Sequence, residues 1–319
     1  MTVLSTGGTI AMSGARATPA LDADALLAAV PALADVAGLQ ARSVRGLPGA
    51  HIGTADALAV VRAALAETAA GRGVVITHGT DTLEETAMLC DAVHGRPEPI
   101  VLTGAIRPAS APGADGPANL ADAVAVAGAL QTAGLGVLVA FAGELHAARA
   151  VRKVSSISPA AFGSPATGPL GTVAERRVRI AARPLRPAAP LPVPAAIAAQ
   201  VPIVPTWLGD DGAGLRAALR DGADAIVFVA FGAGHVAPPV LDALREAARA
   251  VPVALTVRPE RGVLLHETYG FAGAEHDLRR SGALAAAGLS PQAARMVLLA
   301  GLGSGCDTAA LAAALDVQI

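Results

Sequence analysis

The sequence predicts an α/β protein of two α/β domains, a larger N-terminal and a smaller C-terminal one, with parallel sheets flanked by helices. Three observations carry this. Short apolar runs alternate with longer Ala-rich amphipathic segments along the 319 residues, the pattern of strand-helix-strand crossovers. Hydrophobic residues are 53% of the chain but aromatics only 2%. The core must therefore be built from Val, Leu, Ile and Ala, which suits buried parallel strands under small-residue helices. A third stretch, Arg183-Pro184-Leu185-Arg186-Pro187 and on through Pro190, Pro192 and Pro194, excludes regular helix and central strand. It is expected to be a semi-rigid linker over 183–200, between domains at 1–182 and 201–319.

The expected strands are Thr2–Ser5, Val74–Thr77, Ile100–Thr103 and Val137–Ala140, then Ile203–Val204, Ile226–Val229 and Val253–Val257. Each has strand length, and several run into Gly. Helices are expected near 54–71, 82–94, 117–133, 213–221, 238–250 and 291–301. In such sheets ligands sit beyond the carboxyl ends of the strands.

Composition narrows the function classes. The net charge is −2 and no Lys/Arg run stands out, so nucleic acid is not expected as a partner. No stretch of about 18 apolar residues is free of charges and breakers, so no membrane span is expected. Cys90 and Cys306 have no metal-ligand spacing. A reduced, cytoplasmic chain without metal or organic cofactor is the simplest expectation. The opening Met1-Thr2-Val3-Leu4-Ser5 has neither a basic nor an apolar leader region.

Three segments could carry chemistry. Thr6-Gly7-Gly8-Thr9-Ile10-Ala11 follows the first strand; its glycines permit a sharp turn and close backbone approach, and Thr9 would present a hydroxyl there. The small polar stretch Ser13-Gly14-Ala15-Arg16-Ala17-Thr18 after it reads as a lid or a plain surface loop. The second segment, His78-Gly79-Thr80-Asp81-Thr82, joins the strand Val74–Thr77 to a helix opening Leu83-Glu84-Glu85-Thr86-Ala87. Backbone N–H groups and the positive helix end there suit a developing oxyanion. The spacings Asp81 to Glu84 and Thr82 to Glu85 read equally as helix capping. The third is Lys153, in Arg149-Ala150-Val151-Arg152-Lys153-Val154. A Lys beside a Thr hydroxyl can act as its base; a solvated surface Lys between arginines is the bland alternative. Lys is rare in this chain, because Arg dominates its basic residues.

Together the first two segments, with Thr103-Gly104-Ala105-Ile106-Arg107-Pro108 and Ala114-Asp115-Gly116-Pro117-Ala118-Asn119-Leu120, resemble the bacterial-type asparaginase/glutaminase family. Fainter echoes are Gly168-Pro169-Leu170-Gly171, Arg258 before Gly262, Tyr269-Gly270-Phe271 and Ala293-Ala294-Arg295. The likeness runs in order through nearly the whole chain. It implies hydrolysis of L-asparagine to L-aspartate and ammonia through a threonine nucleophile and acyl-enzyme, with possible L-glutamine side activity. It also implies a homo-oligomer, a dimer or a tetramer of two intimate dimers, with active sites at the intimate interface.

Position by position, Thr9 resembles the family's primary nucleophile on the lid side, and Thr80, Asp81 and Lys153 its second threonine with Asp and Lys partners. Asp81 also resembles the residue that binds the substrate's α-amino group, and Ala105 the one that offers its backbone carbonyl to the side-chain amide. Gly8, Gly49, Ala50, Gly79, His235 and Glu275 complete the expected substrate contacts. The chain departs from the family pattern in places. No Tyr stands on the lid, where Ala17 or Thr18 falls; the single Tyr is Tyr269. Gly49-Ala50 replaces a Ser-Gln pair, His235 stands where an Asn is usual, and Glu275 matches an acidic residue loosely. Two other functions fit the same motifs: a non-catalytic amino-acid-binding relative, and an ammonia-supplying subunit of a tRNA-dependent amidotransferase.

Overall fold

The computed structural model describes residues 1–14, 18–19, 21–286 and 288–316. It divides into two compact units, Met1–Pro184 and Leu185–Ile319. Among the described residues no helix is long and apolar enough to cross a membrane.

The first unit is built on an eight-stranded sheet. In chain order its strands are β1 (Thr2–Gly7), β2 (Met12–Ser13), β3 (Thr18–Pro19), β4 (Gln40–Leu47), β5 (Val74–Thr77), β6 (Ile100–Thr103), β7 (Val137–Phe141), β8 (Glu144–Ala147), β9 (Arg152–Lys153), β10 (Phe162–Gly163), β11 (Gly171–Ala174) and β12 (Arg177–Ile180). The main sheet runs β12-β11-β8-β7-β6-β5-β1-β4. Its helices are α1 (Ala23–Ala28), α2 (Thr54–Ala69), α3 (Leu83–Val93) and α4 (Gly116–Gly128).

From β4 to β7 every pairing is parallel. At β8, β11 and β12 it becomes antiparallel, so the sheet is mixed rather than wholly parallel. Ala142-Gly143 explains the change: both have positive φ, 50° and 79°, and so turn β7 directly back into β8 without a crossover helix. Val3, Val75, Val101 and Leu138 from neighbouring strands pack with Leu120, Ala123, Val124 and Ala127 of α4. The small side chains let the helix approach the sheet closely, as the composition required.

The second unit has β13 (Ile203–Pro205), β14 (Ile226–Ala230), β15 (Val253–Val257) and β16 (Leu284–Ala285), all parallel and in that order. Around them lie α5 (Ala213–Arg220), α6 (Pro238–Ala250), α7 (Glu275–Arg279), α8 (Pro291–Gly303) and α9 (Thr308–Leu315). Ile226, Phe228 and Leu255 pack against Val240, Leu244 and Ala247 of α6. Helix starts follow the local chemistry. The Ser290 hydroxyl accepts from Ala293 N with Pro291 at the first helical position, and Asp307 accepts from Ala310 N. Residues 183–200 carry neither helix nor strand.

Candidate active site

Register brings the motif loops of the first unit to one end of the sheet. Ser5 faces Thr77 across β1 and β5, Thr77 faces Thr103 across β5 and β6, and Gly7 faces Leu47 across β1 and β4. The carboxyl ends of four adjacent strands therefore deliver Gly8–Thr9, Gly49–Ala50, Gly79–Asp81 and Ala105 to the same edge. The Thr6 hydroxyl donates to Thr77 O at 2.8 Å, and His78 N donates to Thr103 O at 2.8 Å.

Glycine makes the junction possible. A Cβ on Gly79 would lie 2.5 Å from Gly49 Cα, and one on Gly8 would collide with the Gly79 backbone. Gly8 also has φ 77°, which an L side chain rarely adopts. Three loops thus meet main chain to main chain. The Thr82 hydroxyl closes the junction, donating to Gly49 O at 2.8 Å. Gly49 is buried and Ala50 exposed.

The capping expectation for this segment is corrected by these contacts. Thr82 is the N-cap of α3 but makes no side-chain cap bond, because its hydroxyl serves Gly49. Glu84 reaches instead to the backbone N–H of Lys153, at 2.6 Å. Lys153, on β9, then extends its amine between two groups of the β5–α3 loop. Nζ lies 2.9 Å from Thr80 Oγ1 and 2.8 Å from Asp81 Oδ1. Thr80 is buried, while the Asp81 side chain is 59% exposed and Lys153 22%. Of the 24 Lys and Arg residues, Lys153 is the only lysine. Where every other Lys or Arg side chain is a guanidinium, the one side-chain ammonium sits on a threonine hydroxyl, and of the two only the ammonium can be deprotonated.

Supporting residues surround this cluster. His78, fully buried, donates from Nδ1 to Gly79 O at 2.8 Å and accepts from the Thr86 hydroxyl at 3.0 Å on Nε2. Burial drives its pKa down to about 4, against the opposing bond to Gly79, so the ring is neutral and its tautomer assigned. Around Ala105, the Asp115 carboxylate accepts from Ile106 N and Arg107 N at 3.0 and 2.8 Å. Asn119 donates to Gly104 O at 3.0 Å and accepts from Ala142 N at 3.0 Å. Asp115 and Asn119 stand in the stretch Ala114–Leu120, where the family resemblance marked them without giving them a task.

Thr9 opens a short 3-10 turn, Thr9–Ala11, and is half-buried. Among the described residues no side chain hydrogen-bonds its hydroxyl. On the expected lid, β2 and β3 pair antiparallel; Ala15, Arg16 and Ala17 lie outside the described residues.

In the second unit His235 and Glu275 come together, Nε2 to Oε2 at 3.3 Å. Glu275 opens α7 yet is fully buried. Burial raises its pKa, but hydrogen bonds from the backbone N–H groups of Tyr269, Glu275 itself and Thr268, with the His235 ring close by, outweigh that and leave it below the ordinary value. The Tyr269 ring stands edge-on to His235 at 4.7 Å and Phe271 at 5.1 Å. Arg258 lies over Phe231 at 5.2 Å.

Comparison with known proteins covers nearly the whole chain. Residues 1–186 match the family described as asparaginase, N-terminal, and residues 200–315 the glutaminase/asparaginase C-terminal domain. The chain is 38% identical to a probable L-asparaginase of Deinococcus radiodurans over 318 residues, covering 96% of this chain and 94% of that protein. It is 31% identical to L-asparaginase 2 of Escherichia coli over 309 residues, covering 93% and 87%. The crystal structure of a probable cytoplasmic L-asparaginase from Campylobacter jejuni superposes with a TM-score of 0.85 at 30% identity, covering 98% of each chain. With both domains matched and these relatives aligned over nearly their full lengths, the chain belongs to the asparaginase family of amide-bond hydrolases.

Proposed function

We propose that the chain hydrolyses L-asparagine to L-aspartate and ammonia, with Thr80 as nucleophile and Lys153 as its base. The observation that carries this is the single lysine of the chain hydrogen-bonded to a buried threonine hydroxyl at a strand-helix junction. Lys153 Nζ, as the neutral amine, takes the Thr80 proton while Oγ1 attacks the side-chain carbonyl carbon. Backbone N–H groups at the junction hold the oxyanion. The carbon–nitrogen bond breaks, nitrogen takes the proton from Nζ and leaves as ammonia, and an aspartyl ester remains on Thr80. Water, giving its proton to Nζ, then cleaves the ester to aspartate and restores the hydroxyl.

Asp81 has two tasks in this reading: it orients Nζ at 2.8 Å, and its exposed oxygen receives the substrate's α-amino group. Thr9, with Gly8, Gly49, Ala50, Gly79 and the Ala105 carbonyl, positions substrate. His235 and Glu275 serve substrate binding in an assembled homo-oligomer, as the family resemblance implies. Cytoplasmic residence is part of this reading, supported by the likeness to a probable cytoplasmic L-asparaginase.

Incubating the purified protein with L-asparagine or L-glutamine and measuring ammonia tests the reading. Release from asparagine with the higher specificity constant is expected. No release from either between neutral and alkaline pH overturns it. One methylene separates the two substrates, worth about 1–3 kcal/mol in an apolar pocket, so glutamine is expected as a side substrate.

A further inference from the structure

The lysine at the centre of this site stands on a two-stranded ribbon apart from the main sheet of its unit. β9 and β10 form a ribbon of two residues by two, with Lys153 facing Phe162. A two-stranded ribbon has little stability of its own, so its position is set by what anchors it. Phe162 packs on Phe141 at 4.8 Å between ring centroids. Just past β10, Ser164 Oγ shares a hydrogen bond of 3.0 Å with His146 Nδ1 on β8. The third anchor acts on Lys153 itself: its main-chain N–H donates to Glu84 Oε2 at 2.6 Å, across 69 residues of sequence.

Glu84 stands in the first turn of α3, where an acidic side chain ordinarily serves the helix dipole. Here it also takes up a short, charge-assisted bond to another segment. Lys153 is therefore held twice by one stretch of chain: its main chain by Glu84, and its amine by Thr80 and Asp81. A lysine stem has four rotatable torsions, so an amine fixed only at its tip leaves its own backbone free to drift.

We propose that Glu84 is a positioning residue of this site, holding the Lys153 main chain so that Nζ stays within hydrogen-bond reach of Thr80 Oγ1. The proposal deepens the reading of Thr80 and Lys153 as nucleophile and base, and rests on it for its effect on rate. What acts is an acceptor oxygen rather than a charge, so Gln replaces Glu84 and Ala does not.

Two readouts test it. The first is kcat and KM for asparagine in Glu84→Ala and Glu84→Gln. Misplacement by about 1 Å costs up to about a hundredfold, so kcat is expected to fall between about tenfold and a hundredfold in Glu84→Ala with KM little changed, and to recover in Glu84→Gln. The second needs no activity: the rate at which acetic anhydride acetylates the ε-amine of Lys153, the only lysine, followed by mass spectrometry. Labelling is expected to be severalfold faster in Glu84→Ala and unchanged in Glu84→Gln. Thermal denaturation confirms folding of each variant first; Glu84→Met, which keeps the stem and the helix propensity, replaces Glu84→Ala if that variant does not fold.

Unchanged kcat in the acceptor-less variant overturns the proposal, whatever the labelling shows. A fall in kcat with unchanged labelling overturns the route through Lys153. Equal damage from Glu84→Gln overturns the acceptor role in favour of charge. If the unmodified chain releases ammonia from neither amide, the functional reading fails, and labelling alone decides whether Glu84 positions Lys153.

Discussion

The Thr80 hydroxyl accepts a hydrogen bond of 2.9 Å from Lys153 Nζ, its partner from 73 residues further along the chain. With an ammonium donating to it, this oxygen can pass its own proton to Nζ only after the ammonium has lost one. Lys153→Arg separates charge from basicity, because a guanidinium keeps the first and lacks the second. Both Lys153→Arg and Thr80→Ala are expected to lose at least about a hundredfold in turnover. Circular dichroism should show the fold intact, since a threonine truncated beside a helix start costs about 1 kcal/mol. A folded Thr80→Ala variant with near-normal turnover would reduce the second motif to a structural junction.

Thr9 and Lys153 are distinguishable by substitution. Thr9 has no activator among the described residues, so it is expected to position substrate while Thr80 attacks. Lys153→Met should therefore damage turnover at least as much as Thr9→Val, and His235→Asn should be mild. Steady-state ammonia assays on the three variants decide this. Abolished turnover in Thr9→Val with most of it kept in Lys153→Met would move the nucleophile to Thr9.

Two buried imidazoles make stability depend on pH. Burial holds both His78 and His146 down at about 4, against 6.5 for an exposed ring. Between those values the unfolded chain binds more protons than the folded one, so stability rises with pH there. The contribution is complete above about pH 6.5 and is lost as pH falls through the folded value, on the order of 3 kcal/mol for each ring. Urea denaturation midpoints should fall steadily from pH 7 to pH 4.5, and less steeply in His146→Asn. A flat midpoint over that range would show that neither ring is held neutral.

The glycine junction gives a steric prediction. An added Cβ in Gly79→Ala would lie 2.5 Å from Gly49 Cα and 2.6 Å from Gly49 N, and main chain cannot swing aside as a side chain does. A loss of about 1–3 kcal/mol is expected, with turnover falling because Thr80 moves. Gly46→Ala is the control: a Cβ there meets nothing within 4 Å, so its melting temperature should hold or rise. Equal behaviour of the two variants would mean that the loops are not in contact.

Much of the fold was legible because β5, β6, β7, β14 and β15 are buried along nearly their whole length, and burial on both faces writes a continuous apolar run. β4 was not legible: Gln40-Ala41-Arg42-Ser43-Val44-Arg45-Gly46-Leu47 lies at the sheet edge, with no residue wholly buried, so nothing apolar marks it. β11 and β12 were lost for a similar reason, every second residue of β11 being exposed and β12 forming the other edge. In the site, Thr80, Asp81 and Lys153 could be named because their residue types carry chemistry. The task of Glu84 could not, because its partner is a main-chain group far along the sequence, and its spacing from Asp81 had a ready local explanation in capping. His78 and Asn119 act through backbone carbonyls and amides, which no side-chain pattern announces. One further signal lay in the composition, which chose arginine everywhere but at position 153.

The meeting of Gly8, Gly49 and Gly79 also limits how the enzyme can be re-engineered. Pocket redesign ordinarily proceeds by shaving or swelling side chains, and at this junction there are none to shave and no room to swell. The floor there has, in effect, a single permitted shape. Libraries aimed at a longer or bulkier amide are better spent on Ala50, which is exposed beside the junction, than on the glycines themselves.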